Sequence, residues 1–407
     1  MESKHYSIDL KRTSHPRQVQ ISISQPIFPA EARKTHFVEH VFDTRLQEST
    51  NQVITVGGNV ICFSDNLGRT WEVGPSVEPE VNLRNSFTTA RGTHLLQALG
   101  WSGPKDNGAP SEPMACIHRF DRNWRALGSS KAGDVHWHGT ASIDQCGETI
   151  MFSEYPMNDN SSAQIGRPAA VWRSRNDGES WEKVYEVSAN ALRHFHTCVA
   201  DPYVPASWWI SSGDRPQHCR IWRSTDDGST WREVTDPSPQ VCLPVNYRSQ
   251  IAAVHRHTDL KLDADYLWWG TDDTLCGYEQ QGLGLPHPRH AVSRFCRSRR
   301  GDVLSVEDLG AIGLPVRSLV DVGDGFVVLT EAKFGQGMQP EVHFALKTSP
   351  GQIWRLFKIQ NHSGRKTGFT HSRSSRKAKN GFFFTDKGSL DAFEGPPCII
   401  RWRLRLS

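Results

Sequence analysis

The stretch Ser224-Thr225-Asp226-Asp227-Gly228-Ser229-Thr230-Trp231, with the pattern Ser-x-Asp-x-Gly-x-Thr-Trp, decides the fold of this 407-residue chain. An Asp-Gly step between two strand-like runs is the strongest short signal for a β-hairpin. Gly228 can adopt the positive φ that such a turn needs, and Asp226 can accept hydrogen bonds from backbone amides inside the turn. Trp231 is predicted to return onto the core. The stretch therefore predicts a tight hairpin whose loop is closed by its own side chains.

The same pattern recurs along the chain. Ser174–Trp181 is a second copy and Ser64–Trp71 a third, each with Asn for the first Asp, and Thr348–Trp354 is a shortened copy without the acid. The second copy precedes the stretch at 224–231 by about 50 residues. The interval between the third copy, at 64–71, and the second copy is about twice as long. A period of roughly 40–50 residues with four short strands per unit is typical of a β-propeller. We therefore predict an all-β chain with a single propeller domain over residues 1–407.

These repeated hairpins resemble the Asp-boxes, or BNR repeats, of the sialidase-like β-propeller superfamily. The resemblance rests on three well-formed copies and covers most of the chain by its period. It implies four-stranded antiparallel blades, with the hairpins on one face and the function-bearing loops on the opposite face. It implies little about chemistry, because the box is a structural hairpin in that superfamily.

The repeating units favour seven blades. The predicted units cover about 36–75, 84–126, 135–184, 193–235, 246–310, 316–359 and 367–405. Six blades are the alternative, if the first unit and the tail form one blade. The inner strand of the second unit is predicted near 87–92. The strand candidate Gln18–Ser24 is expected to close the ring by joining the last blade.

The net charge and the lengths of the apolar runs limit the classes of function that the chain is expected to have. A formal charge of +3 is too small to predict a nucleic-acid partner, but it fits a local basic cavity for an anionic ligand. No run of about 18 apolar residues is present, so we expect no membrane span. We expect a monomer.

The cysteines and residues 1–17 indicate the cellular compartment in which the chain is expected. Nine cysteines without a Cys-x-x-Cys pair argue against a zinc site or a disulfide framework and favour a reducing compartment. Residues 1–17 lack an apolar signal-peptide region, so the chain is expected in the cytoplasm, or secreted with a signal peptide absent from this sequence.

Polar side chains recur at two positions of the predicted blades, the start of the inner strand and the loop after the second strand. Both positions belong to the face opposite the hairpins, where functional loops gather on a rigid scaffold. Two His-x-His pairs lie at inner-strand starts in neighbouring units, and alternate residues of a strand share a face. The predicted substrate-binding residues are Arg84, His136, Arg193, His194, Arg215, His218, Arg248, Arg317 and His371.

Arginines with imidazoles suit a carboxylate ligand, because guanidinium groups bind carboxylates through two parallel hydrogen bonds. We therefore expect an acidic glycan as the substrate, cleaved by β-elimination at a uronic acid. That reaction needs a neutralised carboxylate, a base for the C5 proton and an acid for the leaving oxygen. Arg193, Arg248 and Arg317 are the candidates to hold the carboxylate. The candidate bases are His138 and His196, and the candidate acids are Tyr155 and Tyr247.

Two other functions stay open. The first is a sialidase-like exo-glycoside hydrolase, for which the resemblance implies an arginine triad, an Asp acid/base and a Tyr–Glu nucleophile pair. The Phe-Arg-Ile-Pro motif of those enzymes is absent, and Glu154 and Tyr155 are neighbours that would point to opposite sides of a strand. The second is a non-catalytic carbohydrate-binding propeller, in which the Arg, His and Tyr side chains do not converge. The sequence requires no cofactor, although a histidine cluster could hold a divalent metal.

Overall fold

The described part of the chain is built from antiparallel β-strands, as the hairpin repeats predict. Its computed structural model describes residues 4–9, 17–24, 44–47, 52–57, 60–64, 70–75, 81–100, 115–133, 142–156, 168–188, 191–213, 218–236, 238, 255–272, 293–321, 323, 325–330, 341–349, 351–358, 368–371, 380–386 and 399–406. Within these ranges, no helix has the length and apolar character that a membrane crossing requires.

The strands follow one another at short intervals. In chain order they are β1 (Lys4–Asp9), β2 (Arg17–Ser24), β3 (Thr44–Gln47), β4 (Gln52–Gly57), β5 (Val60–Ser64), β6 (Glu72–Val73), β7 (Val81–Thr88), β8 (His94–Gly100), β9 (Ala115–Phe120), β10 (Ala126–Lys131), β11 (Ile143–Cys146), β12 (Thr149–Ser153), β13 (Ala169–Ser174), β14 (Glu182–Val187) and β15 (Phe195–Ala200). The second half contains β16 (Trp208–Ser212), β17 (Ile221–Ser224), β18 (Arg232–Glu233), β19 (His257–Leu262), β20 (Tyr266–Thr271), β21 (Arg294–Arg299), β22 (Val306–Ala311), β23 (Val316–Asp321), β24 (Gly325–Thr330), β25 (Glu341–Leu346), β26 (Ile353–Lys358), β27 (Gly368–His371), β28 (Asn380–Asp386) and β29 (Ile399–Leu406).

The described strands form seven sheets. Six sheets are four-stranded meanders of consecutive strands: β3–β6, β7–β10, β11–β14, β15–β18, β19–β22 and β23–β26. The seventh has the order β1-β2-β29-β28-β27 and joins the two ends of the chain, because β2 pairs antiparallel with β29 along its whole length. Each sheet corresponds to one predicted repeating unit.

The chain divides into two compact units. One unit contains residues 1–88 with 320–407, and the other contains residues 89–319. The sheets β11–β14, β15–β18 and β19–β22 lie wholly in the second unit. The repeated hairpin stretches at 174–181 and 224–231, which we call boxes, belong to the first two of these sheets.

One predicted strand is wrong. The inner strand of the second unit was expected near 87–92, but β7 ends at Thr88 and a turn follows it. The amide of Gly92 donates to the carbonyl of Thr89 at 2.9 Å, and Gly92 has φ +86°. A residue at this φ does not continue a β-strand. By contrast, the predicted strand Gln18–Ser24 is confirmed, because β2 begins at Arg17 and ends at Ser24.

The two fully described boxes form the turns between the third and fourth strands of their sheets. At 224–231 the loop closes on itself. Gly228, with φ +80°, donates its amide to Ser224 Oγ at 2.9 Å, and the amide of Thr230 donates to Asp226 Oδ1 at 2.8 Å. The Thr230 hydroxyl also donates to Asp226 Oδ2 at 2.6 Å, and this hydrogen bond lowers the pKa of Asp226. The predicted self-contained hairpin is confirmed.

The second acid of the box binds the preceding sheet. Asp227 has φ +60°, and its carboxylate accepts hydrogen bonds from Thr149 Oγ1 at 2.9 Å and from Trp208 Nε1 at 3.1 Å. Its carbonyl accepts a hydrogen bond from the guanidinium of Arg173. Thr149 and Arg173 belong to β12 and β13 of the preceding sheet, whereas Asp227 follows β17. The hairpin therefore fastens its own sheet to the one before it.

The box at 174–181 repeats this arrangement one sheet earlier. Asp177 has φ +58°, and its carboxylate accepts a hydrogen bond from the Thr93 hydroxyl. The Nε of Arg119 donates to the carbonyl of Asp177 at 3.2 Å. Thr93 lies next to β8 and Arg119 in β9, again in the preceding sheet. We call Asp177 and Asp227, with their partners, the aspartate clasps.

Asp227→Ala is expected to lower the free energy of unfolding by about 1–3 kcal/mol, because the buried indole N–H of Trp208 loses its acceptor. Asp227→Asn is the matched control. It keeps an acceptor oxygen and tolerates the left-handed backbone, so most of the stability should remain. Urea unfolding of both variants tests the clasp, and equal midpoints for Asp227→Ala and the parent would contradict it.

Candidate functional site

Three predicted site residues lie in contact on neighbouring sheets. His194 precedes β15 and His196 lies in it, with their Nε2 atoms 3.0 Å apart. Tyr155 follows β12, and its ring stacks on His194 with 3.7 Å between the ring centroids. A backbone hydrogen bond from the Phe195 amide to the Glu154 carbonyl, at 3.3 Å, holds the two segments together. We call Tyr155, His194 and His196 the tyrosine–histidine cluster.

The histidines of this cluster are buried, whereas Tyr155 is half-buried. His194 is 0 % exposed and His196 1 % exposed, so the rings do not face the wet cavity that an exposed base would require. The reason is that β15 is buried along its whole length. Space for the His196 ring depends on Gly213, because a Cβ there would lie 2.3 Å from His196 Cε1.

A further histidine pair lies behind the cluster. His196 Nδ1 is 2.7 Å from the carbonyl oxygen of His257. His255 and His257 are fully buried, with ring centroids 6.0 and 5.6 Å from that of Trp269. The ring nitrogens of both histidines are buried.

Burial governs the protonation of this second pair. It lowers the pKa of His255 from 6.5 to about 4, although nearby Asp236 acts in the opposite direction. Burial also lowers the pKa of His257, and repulsion from His255 and His196 lowers it further. Both imidazoles are therefore held neutral at neutral pH.

The sequence interpretation missed His255 and His257, although a signal was present. They form a third His-x-His pair, in which His257 begins β19, the first strand of the next sheet. The two other pairs are predicted at the same position of their units. The sequence prediction instead began that unit at about 246 and chose Tyr247 and Arg248 as its site residues. The pattern at 255–257 would have located it.

The other predicted residues are placed as follows. Arg193 is half-buried and precedes His194 directly. His218 is buried before β17, and its carbonyl accepts a hydrogen bond from the Ser212 hydroxyl. Arg317 is half-buried in β23, and its carbonyl accepts a hydrogen bond from Thr258 Oγ1 at 2.9 Å. Outside the described residues lie His136, His138, Arg215, Tyr247 and Arg248, and the side chains of Arg84 in β7 and His371 in β27 are likewise not described.

Glu154, the neighbour of Tyr155, has a structural role. Its buried carboxylate accepts hydrogen bonds from Trp172 Nε1 and from the Ala170 amide, both at 2.9 Å. Both donors belong to β13 of the same sheet, so the carboxylate anchors the end of β12. These hydrogen bonds do not favour Glu154 as the partner of a tyrosine nucleophile.

The described residues do not fit a metal site. No group of three or more His, Cys, Asp or Glu side chains within them is arranged to hold a metal ion. The six cysteines found in the same ranges are free thiols.

Comparison with known proteins gives a fold and no family. No family model matches the chain, and no curated protein matches it. Among solved structures, YCF48 bound to D1 peptide matches with a TM-score of 0.54 and 10% identity, covering 94% of this chain and 96% of that one. An oligogalacturonate lyase in complex with manganese matches with a TM-score of 0.54 and 10% identity, over 100% of this chain and 97% of that one. The GH74 enzyme of Niastella koreensis matches with a TM-score of 0.53 and 11% identity, covering 86% of this chain and 52% of that one.

These structures are β-propellers, and the likeness assigns this chain the same general fold. Two of them act on carbohydrates, one as a lyase and one as a glycoside hydrolase. At such low identity the likeness extends to the fold alone.

Proposed function

We propose that the chain is a carbohydrate-active enzyme that cleaves an acidic, uronate-containing glycan by β-elimination. The observation that supports this proposal is the contact between Tyr155, His194 and His196, at 3.7 Å between ring centroids and 3.0 Å between ring nitrogens. A half-buried phenol that stacks on a buried imidazole is held in one position, from which it would donate a proton to a bound substrate. Phenol and imidazole are residue types that an elimination requires.

In the proposed reaction, a base removes the proton from C5 of the uronate. The electron pair of that bond forms the C4–C5 double bond, and the C4–O bond breaks with its pair on the leaving oxygen. Tyr155 is proposed as the acid that protonates this oxygen. His138 stays the candidate base, because His196 is buried with both ring nitrogens in contact with protein atoms.

Carboxylate recognition is proposed for the three arginines. Arg193, next to the cluster in sequence, with Arg248 and Arg317, would neutralise the uronate carboxylate and make the C5 proton more acidic. An acidic glycan is thus the proposed partner, without nucleic acid or membrane, and the chain is proposed to act as a monomer in the cytoplasm or after secretion.

The architecture that we propose for this enzyme is one propeller. Seven sheets in the described residues, each matching a predicted unit, support seven blades in a single domain over residues 1–407. The pairing of β2 with β29 supports a ring closed by the N-terminal segment. The self-closed hairpins support kinship with Asp-box propellers.

Tyr155→Phe is expected to lower kcat about a hundredfold, because the leaving oxygen loses its proton donor. The phenylalanine ring still stacks on His194, so the melting temperature should stay within about 2 °C of the parent. The matched control is Tyr203→Phe, which removes a hydroxyl from an exposed residue and should leave turnover unchanged. Full activity of Tyr155→Phe would exclude it as the acid.

A screen on acidic glycans tests the reaction class. An elimination creates an unsaturated uronate, which absorbs in the ultraviolet, and this absorbance should appear with polyuronates and not with neutral glycans. New reducing ends without the absorbance would instead indicate a sialidase-like or other hydrolase. Binding without either product would indicate a carbohydrate-binding propeller.

A further inference from the structure

A directional hydrogen-bond chain runs through the buried histidines. It starts at the carbonyl oxygen of His257, which is 2.7 Å from His196 Nδ1. A carbonyl oxygen only accepts hydrogen bonds, so His196 Nδ1 must carry the proton. For a neutral imidazole, His196 Nε2 is then the bare acceptor nitrogen.

The next contact fixes the second ring. His194 Nε2 lies 3.0 Å from His196 Nε2, which is hydrogen-bond distance for two ring nitrogens. When His196 is neutral, its Nε2 accepts, and His194 Nε2 must then donate. The two imidazoles of a neutral pair are therefore opposite tautomers, with the proton on Nδ1 of His196 and on Nε2 of His194.

We infer that the His257 carbonyl and His196 lock the His194 ring in one tautomer and one orientation, so that it serves as a fixed platform for Tyr155. His196 is thus a positioning residue that acts through His194. The Tyr155 ring stacks on His194 at 3.7 Å between centroids, with 20° between the ring planes, and its centroid is 6.1 Å from that of His196. The consequence for catalysis rests on the proposed function, whereas the tautomers do not.

The surroundings of the pair favour a single arrangement. His194 and His196 are almost fully excluded from water, so their hydrogen bonds have no solvent competitor. The Gly213 backbone leaves no room for the His196 ring to shift towards it. In the part of the chain that the structure describes, the titratable groups near the pair include Tyr155, Glu154, Arg193, His255 and His257. The carboxylate of Glu154 accepts hydrogen bonds from two residues of β13. Burial lowers the pKa of both His255 and His257.

The tautomers can be measured directly in the intact protein. Proton–nitrogen correlation spectra of nitrogen-labelled histidine distinguish an Nδ1-protonated from an Nε2-protonated ring, and His194→Phe and His196→Phe assign the signals. We expect His196 in the Nδ1–H form and His194 in the Nε2–H form. The same tautomer for both rings, or the reverse pair, would overturn the inference.

The positioning role is tested with variants that leave Tyr155 in place. Gly213→Ala pushes the His196 ring aside, and His196→Phe keeps a ring without hydrogen bonds. Both should lower kcat about tenfold with KM nearly unchanged, because buried His196 cannot touch the substrate. Gly301→Ala is the matched control and should behave as the parent, since a Cβ there meets only the Val303 carbonyl at 3.6 Å.

The outcomes separate this inference from the proposed function. If Tyr155→Phe loses turnover while folded Gly213→Ala and His196→Phe keep it, the reaction stands and the positioning role is refuted. If Gly213→Ala fails to fold, the kcat and KM of His196→Phe decide. If the parent cleaves no acidic glycan, the proposed function fails, and the nitrogen spectra alone support or overturn the locked tautomers.

Discussion

Replacing Trp208 with alanine is expected to lower the free energy of unfolding by about 3–5 kcal/mol, the usual loss for truncating a buried large aromatic. Trp208 is 0 % exposed and belongs to a buried apolar cluster that contains Phe195 and Cys198 of its own sheet and Met151 of the preceding sheet. Its indole N–H also donates to the Asp227 clasp at 3.1 Å. The substitution therefore leaves a cavity and removes one of the hydrogen bonds between the strands and the box.

Two matched variants separate these contributions. Trp208→Phe keeps most of the packing and should lose the smaller energy of one buried hydrogen bond, about 1–2 kcal/mol. Trp231→Ala truncates the half-buried tryptophan of the box, which packs at the rim of the same cluster, and should cost less than Trp208→Ala. Urea unfolding with unchanged m-values measures all three. Similar midpoints for Trp208→Ala and Trp231→Ala would refute the described core.

Acidification is expected to destabilise the protein through its buried histidines. The folded-state pKa of His255 is about 4 against 6.5 for the free side chain, so the unfolded chain binds a proton more readily. The stabilising contribution is complete above about pH 6.5 and is lost as pH falls towards 4. For His255 alone the loss between about pH 7 and pH 5 is roughly 2 kcal/mol. His257 acts in the same direction, because its folded-state pKa is also lowered.

The pH dependence should weaken when one of these groups is removed. In His255→Phe, a non-titrating ring occupies the same buried position near Trp269, so the slope of unfolding free energy against pH should fall between about pH 5 and pH 6.5. Urea unfolding at a series of pH values gives this slope for parent and variant. An unchanged slope would show that His255 is already protonatable in the folded protein.

The sequence predicts the hairpins because their signals are local. Gly228 and Asp226 form a turn whose hydrogen bonds lie within eight residues, and such chemistry is readable without knowledge of distant strands. The contact between His194 and His196 is equally local, since strand geometry places alternate residues on one face. The turn at Gly92 was missed because a positive φ is not visible in a pattern of apolar residues.

Burial and partners across sheets are what the sequence does not show. Nothing near His196 in sequence indicates that the carbonyl of His257 lies 2.7 Å from it, or that Gly213 lies beside its ring. The role of Asp227 was missed for the same reason, because Thr149 is 78 residues away. The roles of His138 and Tyr247 remain predictions, since both lie outside the described residues.

The aspartate clasps give residues 89–319 a direction of assembly. Asp177 and Asp227 both bind the sheet that lies earlier in the chain, and the ribosome releases that sheet first. Each new hairpin can therefore bind hydrogen-bond donors of a sheet that is already folded. Neighbouring sheets would then assemble one after another, like the repeats of a linear array. We expect nascent chains to gain protease resistance in steps, as each successive box leaves the exit tunnel. Resistance that appears only after release of the whole chain would argue against this order.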